Sequence, residues 1–430
     1  DLRSRLGTKD LMLLEAWLYW IDYRINDALE THRALLARWP DDHDALEGLS
    51  SKLYRSWYSA EALEVAQKGL NLYPDDAAFS IYLLLSLSTQ GRFDEAYQLI
   101  DREIKQDPQN PGSLDNLGMW YLDMCLPDSA EAVFSRVLMM EPGYLWSERG
   151  LAVSMYYRGN TEGALAAYNR ILKRLDLTDR TRLGLFNQTV NPYPGLSVLY
   201  AEAGRFREAF AVIEESRRYA PDAESELRYI RMTINTLLLR SGHADEVLAW
   251  AREMKDSDMR IARLQAIRTE AEALAALDSI ETAKQVVEEL REIEPYWGGF
   301  ASYMALKVSA QISLGEEEPE IALALLQEMT QKHGQPFGSL YDIEYREIMV
   351  KGHLMAGRVA EAVEIHKEML RRYGGHALSH YELGKLYEEL GQPVDARREY
   401  ETFLEMWKDA DEDLPQPEDA RRRLASLTSG

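Results

Sequence analysis

One cysteine, Cys125, stands in 430 residues. No disulfide can form within such a chain, and no thiol-rich metal site can be built. Positive charge is also short. Forty-nine lysines and arginines face 72 aspartates and glutamates, a formal net charge of −23. A surface of that sign repels phosphate backbones and anionic lipid, so binding to either would need a local basic patch. None of useful length is present; the run at 421–423 sits among acids. The field keeps the chain soluble, and it would favour a basic partner. Long apolar runs are missing too. The stretch at 81–87 is too short to cross a bilayer.

Signatures of catalysis are equally scarce. There is no GxxxxGK[ST] phosphate loop, HExxH, GxSxG, or GxGxxG following a strand. The nearest histidine pair, His376 and His380, has an i,i+4 spacing. His380 falls on a packing position and His376 precedes the helix, so no metal site is expected. The acidic runs at 316–320 and 409–419 read as exposed loops. The NQT triplet at 187–189 is a chance-level glycosylation match. The expectation is no cofactor, no metal and no enzyme. The chain opens DLRSRLG, without an initiator methionine or a secretory pattern. It is expected to be cut from a longer polypeptide. The expected compartment is the cytoplasm, or the periplasm if a lost upstream segment spans a membrane.

What the sequence does have is a period. Pro40, Pro74, Pro108 and Pro142 are each 34 residues apart. Twelve residues earlier come Ala28, Ala62, Ala96 and Ala130, and the frame continues to Ala164. Seventeen earlier come Tyr23, Trp57, Gly91, Cys125 and then Gly159. A fixed interval in this range signals a stacked array. Within one period, apolar residues recur three and four apart in two stretches separated by a short turn. That is a helical hairpin. The alanine lets its two backbones approach. The proline stops the second helix, and the polar pair after it, Asp75–Asp76 in NLYPDD, caps the next one. Cys125 falls on a turn position and reads as a tolerated turn residue.

The spacing resembles the tetratricopeptide repeat. Leu117, Gly118, Tyr121, Ala130, Phe134 and Pro142 stand at that family's intervals, as do Leu383, Gly384, Tyr387, Gly391, Ala396 and Tyr400. Phe403 departs from the pattern, where a small residue is usual. The middle is less regular. Tyr200, Gly204, Ala209 and Pro221 resume the frame after an excess of 11 residues, 45 from Ala164 to Ala209 less the period of 34. Later units run on Gly242 with Val247, Ala283 with Pro295, Gly315 with Ala322, and Gly357 with Ala362. The resemblance implies an all-α, right-handed α-α superhelix of about eleven hairpins with a C-terminal capping helix. The expected parts are a regular array over 1–178, an insertion loop at 179–189, a looser array over 190–412, and a cap and tail at 413–430.

In that family the first helix of each unit lines a concave face, and the family binds protein or peptide partners there. The frame puts Trp17, Trp20, Tyr54, Arg55, Trp146, Arg149, Tyr156, Tyr157 and Tyr229 on that face. Aromatics and arginines are enriched at binding hot spots, though such residues also pack between neighbouring units. The carboxylate clamp of chaperone-binding relatives needs lysine and asparagine at positions held here by Leu13, Glu47, Ile81 and Asp115. Chaperone-tail binding is therefore excluded for the N-terminal half. Residues 9–42 and 399–427 also resemble the ends of repeat regions attached to bacterial eukaryotic-type Ser/Thr protein kinases and cyclase-type regulators. The functional expectation is a protein-interaction scaffold. The alternative is a non-catalytic sensory or regulatory arm of such a bacterial signalling protein.

Overall fold

The computed structural model describes residues 7–174, 192–219, 230–335 and 339–428. The expected insertion at 179–189, Pro221 and Tyr229 lie outside the described residues. Every regular element described is helical, and no strand occurs among the described residues. Ten helices cover the first part: α1 (Thr8–Ile21), α2 (Ile25–Arg38), α3 (His43–Arg55), α4 (Ser59–Leu72), α5 (Ala77–Thr89), α6 (Phe93–Gln106), α7 (Pro111–Asp123), α8 (Pro127–Met140), α9 (Leu145–Tyr157) and α10 (Thr161–Arg174). Next come α11 (Pro192–Glu202), α12 (Phe206–Ser216), α13 (Met232–Arg240), α14 (Ala244–Met254), α15 (Arg260–Ala276), α16 (Ile280–Glu292), the short α17 (Glu294–Trp297), α18 (Gly299–Gly315) and α19 (Pro319–His333). The last are α20 (Ser339–Met355), α21 (Val359–Arg372), α22 (Ala377–Glu389), α23 (Pro393–Met406) and α24 (Pro415–Thr428). Setting α17 and α24 aside, the described helices follow one another in sequence as first and second helices of eleven successive repeats. The chain has an all-α helical-repeat fold.

The periodic residues do what the spacing predicts. In the first four hairpins the second helix stops two residues before its proline, at Arg38, Leu72, Gln106 and Met140. Asp42 then accepts a hydrogen bond from the Ala45 amide at 3.0 Å, and Asp76 from the Ala78 amide at 2.8 Å. Asn110 does the same for Gly112 and Ser113. Each cap satisfies an otherwise orphaned donor, worth about 1 kcal/mol. The alanine column, Ala28, Ala62, Ala96, Ala130 and Ala164, is completely buried, and so are Ala209, Val247, Ala283, Ala362 and Ala396. The glycine of the second motif column gives room to an aromatic ring. A Cβ on Gly118 would strike Phe134, and one on Gly384 would strike Tyr400.

The turn column is left-handed throughout. Tyr23, Trp57, Gly91, Cys125 and Gly159 have φ of 55°, 66°, 69°, 57° and 81°. This accounts for Cys125, whose position serves the backbone. In the ninth hairpin the sequence points to Gly315 as the turn, but the residue at positive φ is Glu317 and Gly315 is the last residue of α18.

Two compact units form, neither continuous in sequence. One contains residues 1–101 and 244–348, the other 102–243 and 349–430. In the first, the Trp57 turn lies against Phe300, Tyr303 and Tyr341, with ring centroids 4.6–5.6 Å away. Arg260 donates to Asp22 at 2.9 Å, and the Gln335 amide donates to the Thr89 carbonyl at 2.6 Å. In the second, the Gly374 amide donates to the Tyr157 carbonyl and the Asp411 amide to the Gly204 carbonyl, both at 3.0 Å. Each unit is thus closed by backbone contacts between early hairpin turns and late hairpin ends. α24 covers the last hairpin through buried Ala420, with Leu424 and Leu427 packed beside it.

Candidate interaction surface

First helices meet their own second helices along one side and leave another side free for other contacts. In the first unit that side carries Trp17, 53% exposed and at mid-helix in α1. Arg55 is also exposed. Trp20 and Tyr54 are half-buried instead, packed on Ile25, Leu29, Leu49 and Leu53. The Lys52 ammonium lies 5.8 Å from the Trp20 ring centre, and Tyr54 is 6.2 Å from Tyr82.

In the second unit the corresponding side of α7 and α9 carries five residues of interest. Trp146 is 40% exposed, with the Arg149 guanidinium 5.8 Å from its ring centre. On the neighbouring helix, Asp115 accepts a hydrogen bond from Ser147 Oγ at 2.7 Å. One turn beyond Asp115, Met119 is 46% exposed. Lost hydration pushes the Asp115 carboxyl up to about 6, against the opposing effects of the Ser147 hydrogen bond and the Arg149 charge. No cationic nitrogen lies within ion-pairing reach of Asp115 among the described residues.

Tyr156 requires a correction. The repeat frame puts it on the free side of the first helix, but it is only 4% exposed and its hydroxyl donates to Glu202 at 3.0 Å. The physical reason is its register. Tyr156 shares a column with Trp20 and Tyr54, three residues beyond the exposed Trp17 column, and that step rotates the side chain toward the next hairpin. Tyr157 is half-buried, edge-on to Tyr373 at 5.0 Å. The sequence reading omitted Met119 and Ser147. The signal for Met119 was available, because it stands one turn beyond Asp115 in the Trp17 column.

The later first helices of the first unit fill their own polar positions. Arg268 donates to Glu272 at 2.7 Å, and Lys307 donates to Glu272 at 2.9 Å and to Glu344 at 2.6 Å. Burial alone would lower the Lys307 pKa, but the two carboxylates override it and hold the ammonium charged. This network is closed on itself.

These features define a helical-repeat protein. The tetratricopeptide-repeat family model matches residues 59–111, and a PPR-repeat model matches residues 348–373. With the 34-residue frame realised in its helices, turns and alanine column, the chain carries repeats of the tetratricopeptide type. Among functionally curated proteins, none matches the sequence. Among solved structures, the chain is similar to one titled as the APC/C hetero-tetramer Cut9-Hcn1, at 11% identity, covering 100% of this chain and 85% of that one with a TM-score of 0.46. It is also similar to a tetratricopeptide repeat protein from Parabacteroides merdae, at 15% identity, covering 62% of this chain and 98% of that one with a TM-score of 0.40. The TPR domain of P58(IPK) matches at 16% identity over 98% of both chains, with a TM-score of 0.28. Among the described residues, no helix is long and apolar enough to cross a membrane.

Proposed function

We propose that this chain is a protein-interaction scaffold that holds a peptide or protein partner on the concave, first-helix face of its hairpins. The observation that carries the reading is the α7–α9 surface. A large indole and a thioether stand in solvent on the two helices that hold Asp115 and its Ser147 donor, and the Asp115 carboxylate has lost more to dehydration than Ser147 and the Arg149 charge return. Core packing needs none of the three there, whereas aromatic anchors beside a desolvated polar group are what interfaces use. Trp17 and Arg55 offer a comparable, separate surface on α1 and α3.

The test is affinity capture with the full chain, comparing wild type with Trp146→Ala and Trp17→Ala. Both side chains are exposed enough for removal to leave the fold intact. Loss of a discrete captured partner, with the melting temperature within about 2 °C of wild type, supports the reading. Undiminished capture by the double variant contradicts it.

A further inference from the structure

A carboxylate shielded from water normally holds a cation, because an unpaired charge in a poorly hydrated place is costly. Asp115 is the exception on the α7–α9 surface. Its oxygen takes one neutral hydrogen bond, from Ser147. The nearby cation, Arg149, lies over the Trp146 ring, outside ion-pairing distance of the carboxylate. Tyr144 stands close enough to feel the Asp115 charge, but it supplies no positive group. Met119, one helical turn beyond Asp115, and Trp146, next in sequence to the Ser147 that donates to it, both expose apolar surface. The arrangement therefore has an acceptor waiting for a donor, next to a place for an aliphatic stem. A side chain with an alkyl stem and a cationic head matches both halves. The net charge of −23 would draw such a group in.

We propose that Asp115, Met119 and Trp146 form a subsite for a lysine or arginine side chain of a partner peptide, the cation on the carboxylate and the stem with its apolar neighbour on the thioether and indole. The proposal rests on the interaction-surface reading above and adds the chemistry of the occupant.

The experiment is fluorescence anisotropy with the full chain and three labelled octapeptides, alternating lysine–leucine, glutamine–leucine and glutamate–leucine. Wild type should bind the lysine peptide and reject the glutamate peptide. Asp115→Asn keeps the Ser147 hydrogen bond and should weaken lysine-peptide binding about tenfold or more. Glu401→Gln, an exposed acid on α23, should change it less than about twofold. If the two variants weaken binding equally, the attraction is diffuse charge and the subsite is refuted. If the lysine and glutamine peptides bind alike and both are lost in Trp146→Ala, the surface reading stands and the cation subsite falls. If no peptide binds, or no variant alters binding, both fall.

Discussion

Glu202, the last residue of α11, and His376, at the start of α22, meet in the interior of the second unit with Oε2 3.8 Å from Nε2. Both are almost fully buried. Around the same carboxylate, Tyr156 donates its hydroxyl and Arg240 lies at 2.6 Å, while Trp407 Nε1 donates to the Glu202 backbone carbonyl at 2.8 Å. One side chain thus ties α9, α11, α13 and the start of α22. Burial would raise the Glu202 pKa, but chiefly the Arg240 charge and hydrogen bond outweigh it and hold the group below the ordinary range.

Removing that carboxylate leaves the Arg240 charge buried without its partner. Glu202→Ala is expected to destabilise by about 3–5 kcal/mol, read as a lower urea midpoint. A loss below about 1 kcal/mol would show that the contacts around Glu202 are incidental.

Stability should fall on acidification. Burial lowers His376 and His333 to about 4 and His32 and His366 to about 3, so all four are neutral at pH 7. The unfolded value is near 6.5. A depressed folded pKa contributes stability that is complete above the unfolded value and drains away as pH falls through the folded one. The window therefore runs from about pH 6.5 down to 3, and each histidine can cost about 3 kcal/mol at the acid end. Urea midpoints at pH 7.5 and 5 should show the drop, and His376→Gln should reduce its slope.

Asp115 has the opposite sign. Its folded pKa is raised, so its contribution is best at low pH and is lost as pH rises through about 6. Asp115→Asn should then stabilise the chain at pH 7 by about 1–2 kcal/mol, allowing for partial exposure. A stability cost that the fold does not need is what a binding residue leaves behind. If the variant is less stable than wild type, Asp115 is structural.

Glu317 holds a turn at φ 61° with an exposed side chain. Glycine meets no Cβ clash there, so Glu317→Gly should stabilise by about 0.5–1 kcal/mol. Thermal unfolding would show it, and a lower melting temperature would mean that the glutamate makes a compensating contact.

Much of the fold was written in short-range spacing. Proline stops, aspartate caps, buried alanines and left-handed turns each depend on neighbours within one hairpin, so one period of sequence reveals them. Gly315 misled because the turn conformation follows from distance to the helix end, and that end fell later than a glycine suggests. The surface was less legible. Trp146 and Tyr156 lie on one helix and both look like anchors, yet Tyr156 is buried by its contact with Glu202 from the next hairpin. No local pattern carries such a contact. Asp115 was visible only as a residue that breaks a lysine–asparagine clamp; its lost hydration depends on how α7 and α9 pack.

Site-specific photo-crosslinking tests the central claim most directly. A photoreactive residue replaces Met119 on α7 in one preparation and Met139, 78% exposed on α8, in another. Each full chain is irradiated in extract of its source cell, and adducts are mapped by mass spectrometry. The account predicts a discrete adduct at position 119, through a segment containing lysine or arginine, and none at 139. Adducts at 139 alone, or equally at both positions, would contradict it.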